Sequence, residues 1–228
     1  MSKLLVKFPS RNRPDKFKRV LDSYVSLLSG KHDVRFVITM DSDDDKMNTD
    51  DIKKYLNAKI DSGVDLIYHY GNSKTKVEAC NANLEGESAD VLMLISDDMI
   101  PQIANYDEII FDGYRQTYPD FDGGIKFYDG IRPDALMTLP IIGWPIYEKL
   151  GHIYHPEYTS IYCDNEQTMI LHRLGKLAVS PICIAKHEWT SEPFDELHAR
   201  NENTDMYRID GAVYERRMNQ NFDIERFS

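Results

Sequence analysis

The sequence predicts an α/β fold with a mostly parallel central sheet covered by helices, and three observations carry that expectation. Strand-length apolar runs alternate with stretches of helical periodicity four times before Pro101. The run Val91 to Ile95 is apolar without alternation, as in a strand buried on both faces. Each predicted strand then empties into polar residues: Arg11 and Arg13, then Asp41, then Asn72, then Asp97 and Asp98. Open α/β sheets bind their ligands at the carboxyl ends of the strands, so these positions are candidates for chemistry.

Lys3 to Phe8 reads as the first strand, and the loop Pro9, Ser10, Arg11, Asn12, Arg13 follows it. Phe17, Val20, Leu21, Tyr24, Val25 and Leu28 repeat at helical spacing, and Gly30 closes that helix. Val34 to Met40 is the second strand, running into Asp41, Asp43, Asp44 and Asp45. The alternate acids invite a calcium-loop reading, but Lys46 stands where that loop needs Gly and Ile52 where it needs Glu, so an EF-hand is excluded. A helix from about Thr49 sets Ile52, Tyr55, Leu56 and Ile60 on one side, and a third strand covers Val64 to Tyr70. Asn72 lies in the next loop, and Lys76 starts the helix after it. Lys76 reads either as a solvated charge or as a phosphate contact beside a strand end.

Ser96, Asp97 and Asp98 close the fourth strand. Neighbouring side chains on extended backbone point opposite ways, so one acid is expected to take a divalent cation and the other a second ligand group. A polar strand end or helix cap is the alternative. Beyond Pro101 the pattern predicts a helix around Asn105 to Tyr114, short strands at Ile125 to Tyr128 and Leu136 to Leu139, and a loop holding Gly143 and Trp144. Asp164 opens a helix over 165–174, the place of an N-cap, and a cap can also be catalytic. Leu177 to Ala185 is a last strand interrupted by Pro181, hence near an edge, with His187 and Trp189 after it. A lone His is usually a structural hydrogen bonder, and a metal role for His187 requires Asp98 nearby. In the polar tail a helix over about 205–219 would lay Met206, Ile209, Val213 and Arg217 across the domain.

Composition narrows the function. The 228 residues, 42% hydrophobic and 29% charged, suit one soluble domain with a sizeable core. A formal charge of −11 argues against broad capture of nucleic acid, and an anionic ligand would need its own Lys, Arg or metal ion. Cys80, Cys163 and Cys183 are an odd number without a C-x-x-C pair, so neither a disulfide framework nor a zinc knuckle is indicated. No apolar run reaches the roughly 20 residues of a membrane span, and Met-Ser-Lys leads directly into a strand, so a cytoplasmic location is expected. No G-x-G-x-x-G follows the first strand and no P-loop occurs, so phosphates would be held by metal and side chains.

The ordered set Pro9-Ser10-Arg11, Asp41, Asn72 with Lys76, Ser96-Asp97-Asp98, Gly143-Trp144, Asp164 and His187 resembles the GT-A glycosyltransferases, and within them the inverting family 2 type, over about residues 3 to 190. The resemblance implies one GT-A domain over 1–228. A Rossmann-like nucleotide-sugar half would cover about 1–101, an acceptor half about 102–190, and a helical tail 191–228. It implies that Pro9, Ser10, Arg11, Arg13, Asp41, Asn72 and Lys76 bind the donor. Asp97 would bond the ribose hydroxyls, and Asp98 with His187 would hold Mn2+ or Mg2+. Ser96 stands where many members carry the first acid of the D-x-D motif. Asp164 would be the general base, with Cys163 where another acid is usual and Glu166 as the substitute base. Gly143, Trp144 and Trp189 are the acceptor-side candidates; the faces of Trp144 and Trp189 suit a sugar or a base, with plain packing as the alternative for each. The implied activity is transfer of a sugar, most readily from a UDP-sugar, to a hydroxyl on a glycan, lipid-linked sugar, protein or modified base; a homodimer is left open. Two rivals are a sugar-phosphate nucleotidyltransferase, whose Gly-rich first loop is missing between Pro9 and Pro14, and a non-catalytic nucleotide or sugar binding module.

Overall fold

The computed structural model describes residues 1–188 and 196–227. Its first part is the predicted alternation: β1 (Lys3–Pro9), α1 (Pro14–Ser26), β2 (Asp33–Asp41), α2 (Asp50–Asp61), β3 (Leu66–Gly71), α3 (Lys76–Asn81) and β4 (Val91–Leu94). Then follow β5 (Met99–Pro101), α4 (Tyr106–Thr117), β6 (Gly124–Phe127), β7 (Ile141–Gly143), α5 (Trp144–Leu150), α6 (Cys163–Arg173), β8 (Leu177–Ser180), β9 (Ala185–His187), α7 (Glu196–Asn201) and α8 (Thr204–Asn219). Local chemistry sets several helix starts. Pro14 supplies a pre-set φ at the first position of α1. The hydroxyls of Thr49 and Thr75 accept the backbone N–H groups of Ile52 and Glu78, and the side chain of Asn203 accepts that of Met206.

Seven strands form one sheet in the order β3-β2-β1-β4-β7-β6-β8. The pairs β1–β2, β1–β4, β2–β3 and β6–β8 are parallel, and β7 runs against both β4 and β6. The pleat sends alternate residues of β1 to opposite faces, so Leu4, Val6 and Phe8 join a core with α1 and α4, while Leu5 joins another with Val77, Leu92 and Ile142. Fully burying each such side chain contributes roughly 1.5–3 kcal/mol, and the buried run Val91 to Ile95 is apolar throughout.

Three expectations are corrected. The strand assigned to Leu136–Leu139 lies at Ile141–Gly143, inside the expected loop. Gly143 fits there because a Cβ would come within 1.6 Å of the Phe121 carbonyl oxygen. The single last strand divides around Pro181: β8 extends the large sheet, and β9 pairs antiparallel with β5 in a separate ribbon. Helix α8 follows its expected stripe only in part: Val213 packs against the core and Arg217 is buried, but Ile209 is exposed, and the unforeseen Asp210 is the other side chain it buries.

Candidate active site

At the carboxyl ends of β1, β2 and β4 a hollow of about 540 Å3 opens, within the size range of ligand pockets. Pro9, Ser10, Arg11, Arg13, Asp41, Lys76, Asp97, Asp98, Asp164 and His187 all line it. Parallel strands bring the loop residues after β1, β2 and β4 together because their carboxyl ends share one edge, while Lys76, Asp164 and His187 reach the hollow from α3, α6 and β9.

Two acid–base pairs build the floor. Arg13 Nη1 donates to Asp97 Oδ1 at 2.7 Å and Ser10 Oγ donates to Asp97 Oδ2 at 3.1 Å, all within the interior. Burial pushes the Asp97 carboxyl up to about 6, with Arg13 opposing and Asp98 adding to the rise. Arg11 Nη1 donates to Asp41 Oδ2 at 2.8 Å and to Asp43 Oδ1 at 2.6 Å, and the Ser73 N–H donates to Asp41 Oδ1 at 3.0 Å.

The β5–β9 ribbon assembles the next element. Its register places Met99 opposite His187, the Glu188 N–H donates to the Asp98 carbonyl at 2.7 Å, and the His187 N–H donates to the Asp129 carbonyl at 2.8 Å. His187 Nε2 consequently stands 3.7 Å from Asp98 Oδ2. The Ser96 hydroxyl donates to the other oxygen, Asp98 Oδ1. One carboxylate oxygen and one imidazole nitrogen at this separation fit two neighbouring positions around a divalent cation such as Mn2+ or Mg2+. Among the described residues no third His, Cys, Asp or Glu joins them, so other positions would fall to donor oxygens and water.

Asp164 lies across the hollow. Helix α6 begins after Tyr162, whose φ is 61°, so Asp164 occupies the second helical position and is not the cap. Its Oδ1 accepts the Asn165 N–H at 2.9 Å. Burial raises the Asp164 carboxyl above its ordinary range, opposed first by the Lys76 ammonium. Desolvation pulls Lys76 down, but Cys163, Cys80, Asp164 and Asp98 more than offset it, and the ammonium titrates above its usual range. A basic carboxylate beside a fixed cation is suited to accepting a proton.

The remaining candidates lie elsewhere. Glu166, the substitute base, is 1% exposed and held by Arg217 Nη2 at 2.7 Å and the Tyr158 hydroxyl at 2.7 Å. Two residues, just over half a helical turn, carry it to the face away from the hollow. Gly143 is buried in β7, and Trp144 packs against Tyr147 while its indole N–H donates to Glu148 at 3.2 Å, so neither lines the hollow. Asn72 is exposed, and its neighbour Ser73 takes the place at the wall. Trp189 lies outside the described residues. Sequence reasoning missed Arg132, Thr138, Ser160, Arg200 and Tyr207, which line the opposite wall from loops and the tail helices. No spacing signals them, although Asp129-Gly130 marks the turn that aims Arg132: Asp129 Oδ1 accepts the N–H groups of Ile131 at 3.0 Å and Arg132 at 2.7 Å.

No family model and no curated protein matches this sequence. Solved structures do. The fragment 1–349 of S. aureus TarS in complex with UDP-GlcNAc aligns with a TM-score of 0.67 at 12% identity, over 91% of this chain and 64% of that one. The mannosyltransferase PcManGT from Pyrobaculum calidifontis, in complex with GDP-Man and Mn2+, aligns at 0.61 and 14% identity, over 80% and 55%. Glucosyl-3-phosphoglycerate synthase from Mycobacterium tuberculosis, with Mn2+, UDP and phosphoglyceric acid, aligns at 0.58 and 19% identity, over 88% and 75%. The chain has the GT-A fold. In a second structure of the TarS fragment 1–349 it spans 60% of that chain. In the GT-A frame, β1 to β4 form the expected parallel half, and the hollow opens at the carboxyl ends of these strands. No helix among the described residues is long and apolar enough to cross a membrane.

Proposed function

We propose that this chain is a metal-dependent, inverting glycosyltransferase that moves a sugar from a nucleotide-sugar donor, a UDP-sugar, to an acceptor hydroxyl. The observation that carries the reading is the convergence, on a GT-A fold, of Asp98, His187 and Asp164 around one hollow. TarS and the two other enzymes above were solved with nucleotides or nucleotide sugars, two of them with Mn2+.

The roles follow from position. Asp41 and Arg11 at the end of β2 and β1 hold the nucleoside, and Asp97, kept in place by Arg13 and Ser10, takes the ribose hydroxyls. Asp98 and His187 hold the divalent ion, which when bound stabilises the charge that builds on a departing diphosphate by several kcal/mol. Lys76, a lone ammonium in the hollow, adds attraction for the same phosphates. Asp164 takes the acceptor proton as the hydroxyl attacks the anomeric carbon, a contribution of typically about 10² to 10⁴ in rate. With Glu166 held by Arg217, and with Asp97 and Asp98 given to the ribose and the ion, Asp164 serves as the base and needs no covalent partner, a reading in which the sugar inverts.

The test is a thermal-shift screen of UDP- and GDP-sugars with and without Mn2+, followed by hydrolysis of any sugar that binds. A UDP-sugar is expected to stabilise the protein only with the ion present and to be hydrolysed slowly. Stabilisation by no nucleotide sugar, with or without the ion, would rule the reading out.

A further inference from the structure

Helix α8 stands outside the βα alternation, yet one of its faces grips the turn that aims Asp164. Tyr207, Asp210, Tyr214 and Arg217 recur at spacings of three and four, a single helical stripe made of aromatic and charged residues. The fully buried Asp210 carboxylate accepts the backbone N–H groups of Thr159 at 2.9 Å, Ser160 at 2.8 Å and Ile161 at 2.9 Å. The next residue, Tyr162, sits at φ 61°, where a bulky side chain is strained and persists only if its surroundings hold it. Its ring stacks on Tyr214 with centroids 5.6 Å apart and meets Tyr207 edge-on at 6.2 Å. Past Asp164, Arg217 secures Glu166 through Nε at 2.8 Å and Nη2 at 2.7 Å. The Thr159 carbonyl also accepts the Val77 N–H at 3.3 Å, which ties the same turn to the helix bearing Lys76.

The contacts of Tyr207, Asp210, Tyr214 and Arg217 flank Asp164 on both sides, and all four residues belong to α8. We propose that Asp210 is a positioning residue for the base: it fixes the 159–161 backbone so that the strained Tyr162 launches α6 with the Asp164 carboxylate facing the acceptor. The proposal rests on reading Asp164 as the base. The donor floor is built from β1, β2 and β4, so loosening the turn reduces the chemical step and spares donor binding.

A double-mutant cycle separates this role from plain support of the fold. Asp210→Asn keeps the shape but turns an amide N–H toward backbone donors. It is expected to lower kcat by about 10- to 100-fold, the scale of a displacement near 1 Å. Affinity for UDP with Mn2+ should stay within about twofold, and in an Asp164→Asn background the same change should cost almost nothing further, because both act through one group. Tyr214→Leu, which removes the ring against Tyr162, should repeat the pattern and serves if Asp210→Asn does not fold. An equal loss with and without Asp164, or an unchanged kcat in both folded variants, overturns the proposal. Full transfer by Asp164→Asn alone would instead remove the base assignment itself, and with it this inference, before either α8 variant is compared.

Discussion

Asp98 and His187 face each other at 3.7 Å because the β5–β9 pairing sets Met99 opposite His187 and ties the Glu188 N–H to the Asp98 carbonyl. Backbone hydrogen bonds, not the side chains themselves, hold the pair together. On the proposed reading, a site fixed in this way would be ready before any ion arrives and would spend little binding energy on ordering.

Asp98→Ala is therefore expected to abolish both turnover and the Mn2+-dependent part of nucleotide binding without harming the fold. For the unaltered protein, a ligand at 100 times its Kd adds about 2.7 kcal/mol of apparent stability. That increment, read by thermal shift with UDP and Mn2+, should vanish in the variant. A variant that is still stabilised in full would show that the ion, if any, sits elsewhere.

Asp164→Asn should retain donor affinity and lose about 10²-fold or more in transfer, since an amide accepts no proton. Isothermal titration of the nucleotide alongside steady-state kinetics distinguishes the two quantities. Normal transfer by the variant would place the base on another residue.

The parallel half was legible because its central strands are buried: Val91 to Ile95 is an unbroken apolar run, Val34 to Met40 is apolar but for Arg35 and Thr39, and acids follow both. The antiparallel β7 was not, since it is three residues long and framed by Pro140 and Gly143, which read as loop. Periodicity was a partial guide to α8. Of the stripe Met206, Ile209, Val213 and Arg217, Val213 packs against the core and Arg217 is buried, but Ile209 is exposed and the buried Asp210 was not foreseen, because a charge is buried only where another element supplies its partners. Glu166 shows the same limit: a carboxylate two residues beyond Asp164 reads as a second base until the guanidinium from the tail is seen to occupy it.

Arg217 supplies a stability prediction. Its guanidinium meets Glu166 through two nitrogens, both side chains being buried, and reaches the partly exposed Asp223 at 3.3 Å. Removing one member of a buried pair leaves an uncompensated charge, so Arg217→Ala should cost about 3–5 kcal/mol. Urea unfolding with an unchanged m-value measures it. The double replacement Arg217→Met with Glu166→Leu should recover much of the loss, and if it does not, packing outweighs the charge.

Lys76 supplies the pH dependence. Asp164 must be ionised to act, and burial raises its carboxyl, so the acid limb of kcat should lie above the usual carboxylate range, with activity rising as pH increases through it. The Lys76 ammonium opposes that rise by favouring the charged form. Lys76→Met removes the opposing charge, leaves burial unbalanced, and should shift the limb to still higher pH. Measuring kcat at saturating donor keeps any phosphate contact of Lys76 out of the comparison, because weakened donor binding changes KM and not the position of the limb. A limb that moves to lower pH or stays fixed would mean that Lys76 and Asp164 are not electrostatically coupled during turnover.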